Sequence, residues 1–283
     1  MAQAPLIQNI SDTARWVAVF RAHETARADA LFRDPFAERL AGSRGQQIAS
    51  QMRWVNRHAW SMITRTHLID DIVKKQIAQG ADMVVNLAAG LDTRPYRMEL
   101  PQSLQWVEVD LPEILTYKEV MLAGELPKCR LERVRLDLAD VRARRELFQR
   151  LGRAAKKALV ICEGLLVYLE PREAGSLAVD LASIPAFESW VIDLASPALL
   201  RMLQKNVGKE LAQGNSTMKF APEKGAEHFV EFGWRPVQVQ SMLHSAARLK
   251  RLPWGMRVFA WFPEPVGAPG SRPWSGVCLL GRA

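Results

Sequence analysis

The stretch Met83-Val-Val-Asn-Leu-Ala-Ala-Gly-Leu-Asp-Thr-Arg-Pro-Tyr96, followed by Trp106-Val-Glu-Val-Asp110, constrains the fold more than any other part of the chain. A β-prone apolar run enters a turn of small residues, a helix start follows, and a second strand ends on an acid. That order is the opening β-turn-α-β of an α/β nucleotide site. Met83 to Leu87 reads as a buried strand. Ala88-Ala89-Gly90 lets backbone approach a ligand closely, because no bulky side chain stands in the way. Asp92 or Thr93 is placed to cap the next helix, and Pro95 fits its first turn. Asp110 lies twenty residues beyond Gly90, where a carboxylate can accept both hydroxyls of a ribose. The expected ligand is an adenosine.

A dinucleotide site wants three glycines, so that a helix N-terminus can press against a pyrophosphate. Only Gly90 is present, with Leu91 and Pro95 where small residues would be needed. S-adenosyl-L-methionine (SAM) carries no phosphate, and one tight turn suffices for it. SAM is therefore the expected cofactor. A nicotinamide or flavin cofactor, or a tight turn with no ligand, are the alternatives. The turn taken together with Asp110 favours a ligand over a bare turn.

Repeats, low-complexity segments and Gly/Ser linkers are absent, and 283 residues with 48% hydrophobic content can bury a full core in one large domain. Residues 1–80 read as a helical cap. Its helices fall at Thr13–Ala28, from an N-cap at Asp34 with an early proline, and at Asn56–Gln79, closed by Gly80. Residues 81–199 read as the cofactor-binding core, with strands near 83–87, 104–109, 131–136, 158–162 and 188–194, each followed by a helical stretch. Such alternation argues for a parallel sheet with right-handed crossovers. Residues 200–232 read as a helical insertion. Residues 233–283 supply the last strands, expected at Val237–Val239, Met256–Phe262 and Val277–Leu280 with an antiparallel ending. The expected architecture is α/β and Rossmann-like, a seven-stranded, mostly parallel sheet with an antiparallel last strand.

Cys129, Cys162 and Cys278 are odd in number and scattered, which argues for free thiols in a reducing, cytoplasmic setting. Cys162 reads as an inert core residue. No segment approaches the about 18 consecutive apolar residues of a membrane span, and no secretory signal is readable. The formal charge of +8 owes much to Arg142–Lys157, which reads as a solvated helix face around an apolar stripe of Leu147, Phe148 and Leu151. It lacks the interleaved aromatics of a nucleic-acid surface. Neither a nucleic-acid nor a membrane partner is expected, and no oligomeric state is implied. The five histidines show no metal-ligand spacing, so no metal is expected. Trp16, Trp60 and Trp234 are candidates to line an aromatic substrate pocket.

Arg65 is the sharpest single residue. On its helix it shares a face with Met62, Ile69 and Ile72, and no carboxylate lies three or four positions away. An arginine on an apolar face needs an anion: either a distant Asp or Glu, or the carboxylate of SAM held in a bidentate clamp. Asp137 and Glu163 each end an apolar strand, at the sheet edge that faces the ligand crevice. Asp137 with Leu138 is placed for the adenine, and Glu163 for the ammonium or sulfonium charge. A helix cap or surface acid is the alternative for each, although Asp140 is the better cap. Tyr168 offers either a hydroxyl to the crevice or a core ring.

NLAAGLDTRPYRM, VDLPEILTYK, the Asp137-Leu138 pair and EGLLVYL resemble the leucine carboxyl methyltransferase family of class I SAM-dependent methyltransferases. The stretch TARWVAVFRAHETARADALFRDPFAERLAG is similar to bacterial members, including polyketide carboxyl O-methyltransferases. The resemblance runs from residue 12 to about 183. It implies that Arg65 binds the cofactor carboxylate ahead of Asp70-Asp71. It also implies that Gly90 belongs to the first turn, Asp110 to the ribose, Asp137-Leu138 to the adenine and Glu163 to the strand-end acid. Tyr168 would lie near the reacting carboxylate, with Arg65 holding an anion beside it. Ala88 stands where the family usually has glycine, adding one methyl beside the cofactor. Arg21 falls in the N-terminal segment that closes over the site in relatives. The activity implied is methyl transfer to the carboxylate of a small, polyketide-like or aromatic acid. A phenolic hydroxyl or a protein C-terminus are other acceptors, while a nicotinamide-dependent reductase and a non-catalytic SAM-binding module are readings of another class.

Overall fold

The computed structural model describes residues 10–52, 56–214, 216–262, 270 and 272–283. The strand runs of the sequence become β1 (Met83–Leu87), β2 (Gln105–Asp110), β3 (Arg130–Arg135), β4 (Ala158–Cys162), β5 (Phe187–Ala195), β6 (Trp234–Ser241) and β7 (Ser275–Arg282). They form one sheet in the order β3-β2-β1-β4-β5-β7-β6. The first five strands pair in parallel, and β7 lies antiparallel between β5 and β6. All five residues of β1 and of β4 are buried, as expected where helices cover both faces of a central strand.

Alternation along each strand divides the core in two. Val85, Val107, Val160 and Trp190 point to one face, where Leu147, Phe148 and Leu151 of α6 (Val141–Ala154) and Leu177 and Leu181 of α7 (Pro171–Ala182) meet them. Val84, Trp106, Leu159 and Val191 point to the other, against Leu68, Ile69, Ile72 and Val73 of α3 (Ala59–Ala78). Each such side chain, fully buried, contributes about 1.5–3 kcal/mol of transfer free energy. The Leu147–Phe148–Leu151 stripe is thus a packing face. Behind it Arg144 is buried too, bonded to Asp180 and to the Leu138 carbonyl.

The N-terminal helices α1 (Ile10–Thr25) and α2 (Ala37–Gln51) pack on each other and on the outer end of β1, through Ala18, Val19, Leu40, Leu91 and Tyr96. Two short helices, α4 (Arg94–Arg97) and α5 (Pro112–Met121), follow β1 and β2. The chain after β5 forms α8 (Pro197–Gln213), with Ser196 as its cap, and a 3-10 turn at Gly225–Phe232 closed by Gly233 at φ +87°. A short α9 (Met242–Arg248) follows β6.

Three local expectations are corrected. Met256–Phe262 is no strand. Trp254–Trp261 winds as a 3-10 helix entered through Pro253, and both sides of β7, toward which it leads, are taken by β5 and β6. Asp34 does not sit at the cap position of α2, which Phe36 occupies; its Oδ2 is taken by Arg21 and Thr93, and its Oδ1 accepts the Phe36 N–H just ahead of the helix. Trp234 lies fully buried beside Trp190, its indole N–H bonded to the Ala178 carbonyl, and is not part of the lining of the large cavity at the strand ends.

Candidate active site

The carboxyl ends of β1, β2, β4 and β5 open into a single cavity of about 890 Å3, near the upper end of the usual range for ligand pockets, roughly 300–1,000 Å3. At the exit of β1, Ala88 and Gly90 both take left-handed backbone angles, φ +54° and +50°. Such angles cost glycine nothing and cost alanine about 1–2 kcal/mol. The twist turns the Gly90 N–H onto Asp110 Oδ2 at 2.6 Å, while the Leu111 N–H donates to Oδ1 at 2.8 Å. Asp110 thereby locks the β1 turn against the end of β2. A carboxylate has about four acceptor directions, so two remain for hydroxyls of a ligand. Burial pushes the Asp110 pKa up, and the two N–H bonds only partly offset it.

Beyond the turn runs a chain of ion pairs. Arg65 on α3 reaches across the sheet end, its Nε to Glu163 Oε1 and its Nη1 to Asp193 Oδ2, both at 3.0 Å. Arg94 on α4 bonds Glu163 Oε2 at 2.8 Å, Asp92 Oδ2 at 2.8 Å and Asp70 Oδ1 at 2.7 Å. Arg97 closes the chain with both Asp70 oxygens, at 2.7 and 2.8 Å. Asn86 at the end of β1 donates to Asp92, and the Gly164 N–H donates to Asp193. Burial by itself would raise the carboxyl pKa values, but the guanidiniums outweigh it. Arg97 and Arg94 hold Asp70 low, Arg94 holds Asp92 low, and Arg94 with Arg65 holds Glu163 low. Asp70, Asp92, Glu163 and Asp193 thus share three guanidiniums, and Asp110, held only by backbone N–H groups, adds a carboxylate that no guanidinium meets.

The opposite half of the cavity is apolar. Trp16, Trp60, Met62, Leu199, Met202 and Met218 contribute to its wall, from α1, α3, α8 and the loop after α8. Tyr168, in the single 3-10 turn Leu166–Tyr168, lies between the halves with its hydroxyl against Thr13. Burial pushes its pKa up, which keeps the phenol neutral.

Residues 14–182, about three fifths of the chain, match the model of the leucine carboxyl methyltransferase family. The chain belongs to this family. A relative from Frankia alni, named "putative S-adenosyl-L-methionine-dependent methyltransferase", is 31% identical over 84% of this chain and 88% of its own. One from Mycobacteroides abscessus with the same name is 33% identical over 66% of this chain. That match spans 65% of the relative's length, just under two thirds. Among solved structures, a DUF574 family protein from Streptomyces avermitilis superposes with a TM-score of 0.62 over 96% of this chain and 97% of its own, at 15% identity. That likeness is one of fold. The sheet order and the antiparallel β7 confirm the expected Rossmann-like architecture, and SAM, expected from the turn and Asp110, is the cofactor of this family site.

The residues fit that cofactor. Arg65, Ala88, Gly90, Asp110, Glu163 and Tyr168 all line the one cavity. Of the two partners open to Arg65, the structure shows a pair of distant carboxylates. Asp137 and Leu138 stand apart from the lining. Asp137 is exposed and accepts the Ala139 N–H, and Leu138 packs on the core. Arg21 lines the cavity as well and ties α1 to the β1 turn, through Asp34 at 2.8 Å and the Leu91 carbonyl at 2.6 Å. Sequence reasoning missed Asn86, Arg94 and Asp193. The signal for Arg94 was at hand, since an arginine two residues after Asp92 and directly before Pro95, just past the turn, is committed to the site by its position.

Proposed function

We propose that the protein transfers the methyl group of SAM to a carboxylate oxygen of a small, largely apolar acid, giving a methyl ester. The observation that carries this reading is the division of one cavity into a charged half at the strand ends and an apolar half on α1, α3 and α8. Asp110 is placed to accept the ribose hydroxyls, and Gly90 leaves room for the cofactor beside the turn. Asp92, Glu163 and Asp193 offer carboxylate oxygens in the cavity to the cationic part of the cofactor. Bound SAM supplies an activated methyl on a sulfonium.

With SAM held by Asp110 and the β1 turn, the chemistry supplied would be displacement at the methyl carbon by the acceptor oxygen, the carbon–sulfur electron pair leaving on sulfur. A carboxylate with a pKa near 4 is ionised at neutral pH, so no proton has to move and no general base is needed. The reading asks no proton transfer of the titratable side chains in the lining, among them Tyr168, held neutral, and the imidazoles of His58 and His244. The protein's own contribution is to orient both reactants and exclude water. The test is to incubate the enzyme with methyl-labelled SAM and a panel of aromatic and aliphatic acids, then treat the product with mild alkali. Release of labelled methanol supports an ester. A label retained through alkali is not a methyl ester and contradicts the carboxylate reading.

A further inference from the structure

The segment that failed to become a strand is chemically unusual. Trp254–Trp261 (WGMRVFAW) is mostly apolar, yet it contains no buried residue. Trp254 is 85% and Trp261 84% exposed, and Val258, Phe259 and Phe262 are about half or more exposed. A contiguous aromatic surface of this kind is rarely left to water alone. Most cations near it in the chain have no acidic partner among the described residues. From Gly233 to Phe262 the chain carries no aspartate or glutamate. Arg248, Lys250 and Arg257 are exposed, and none of the three is ion-paired among the described residues. Arg251 alone is neutralised, by Glu24 and Asp29.

We propose that the Trp254–Phe262 segment docks the protein on an anionic lipid surface. Tryptophan and phenylalanine flanked by lysine and arginine is the composition of interfacial anchors. The rings sit at the headgroup level, and the cations meet the lipid charge. A second copy of the chain is the poorer occupant, because it would bring the same three cations against each other. No described helix is long and apolar enough to cross a membrane, and the proposed contact is a peripheral one, which needs no spanning stretch. The segment is also continuous with the active site, since Met256, Phe259 and Phe262 line the same cavity as Asp110. Docked in this way, the apolar half of the cavity opens toward the lipid, and an amphiphilic acid dissolved there reaches it without crossing water. This last step rests on the acid-methylating reading; the docking does not.

Co-sedimentation of the full chain with vesicles tests the proposal. Vesicles of equal parts phosphatidylcholine and phosphatidylglycerol are compared with phosphatidylcholine alone. The expected result is binding to the anionic vesicles that weakens with salt, falls about fivefold for Arg257→Gln, and is lost in the double variant Trp254→Ser/Trp261→Ser. Neither tryptophan lines the cavity, so calorimetric SAM binding by the double variant shows that its fold is intact. Wild-type protein that stays in the supernatant overturns the proposal, as does a double variant that sediments like wild type. Self-association in ultracentrifugation that disappears with the two tryptophans overturns it in favour of a second copy. Failure of methyl transfer to acids would leave each of these results unchanged.

Discussion

The two halves of the cavity are stabilised by different physics. At the strand ends, Arg94, Asp70, Glu163 and Arg65 are buried or nearly so, and each charge has fixed partners. Removing one member strands another in a low-dielectric setting, so that half behaves as a unit. The wall on α8 has no such coupling. Met202 and Leu203 are only partly buried and make dispersion contacts that tolerate a change of shape. A site arranged in this way keeps its cofactor geometry constant while its acceptor half is free to vary.

Arg94→Ala should break this contrast most severely. It leaves Asp70, Asp92 and Glu163 without their shared guanidinium, and a loss of about 3–5 kcal/mol in urea unfolding is expected. A loss no larger than that of a surface arginine would mean that the halves do not differ in coupling. Asp110→Ala should weaken SAM binding by about 10- to 150-fold, the equivalent of roughly 1.5–3 kcal/mol for hydrogen bonds to a charged group. Titration calorimetry measures this directly.

Acidification sharpens the comparison within the charged half itself. Asp70 and Glu163 have folded pKa values below their ordinary 3.8 and 4.5. Their contribution to stability is therefore complete above those values and is lost as pH falls through the lowered folded ones. Asp110 is shifted upward, so its protonation comes first and favours the folded state. SAM affinity should therefore fall at a higher pH than circular dichroism reports unfolding. Coincident transitions would contradict the assignment of Asp110.

In the apolar half, Met202→Ala should cost about 1 kcal/mol or less of stability. It should raise KM for an acid substrate without changing SAM affinity. The smallest effect is expected at Ala88→Gly. Relief of the left-handed strain is offset by the greater freedom of an unfolded glycine, and a net gain of about 0.5 kcal/mol should appear as a slightly higher Tm.

How much of this was legible in the sequence follows the same divide. The β1 turn and Asp110 could be read because they are local: strand, small residues and acid lie within thirty residues of each other. Arg65 could be read as a cation needing an anion, since no carboxylate lies three or four positions from it on its helix. Its partners could not, because Asp193 lies 128 residues away and is brought near only by the pairing of β4 with β5. Asn86 looked like any residue of an apolar run. The acceptor wall was invisible, because methionines and leucines at helical spacing on α8 look the same in a core as in a pocket. Met256–Phe262 was misread for a related reason, since an apolar run reports hydrophobicity and not what will cover it.

The most direct test is calorimetric titration of SAM into the wild type, Asp110→Ala and Met202→Ala side by side. Tight binding by the wild type, collapse in Asp110→Ala and unchanged affinity in Met202→Ala is the result the two-half account predicts. No binding by the wild type, or equal losses in both variants, would contradict it.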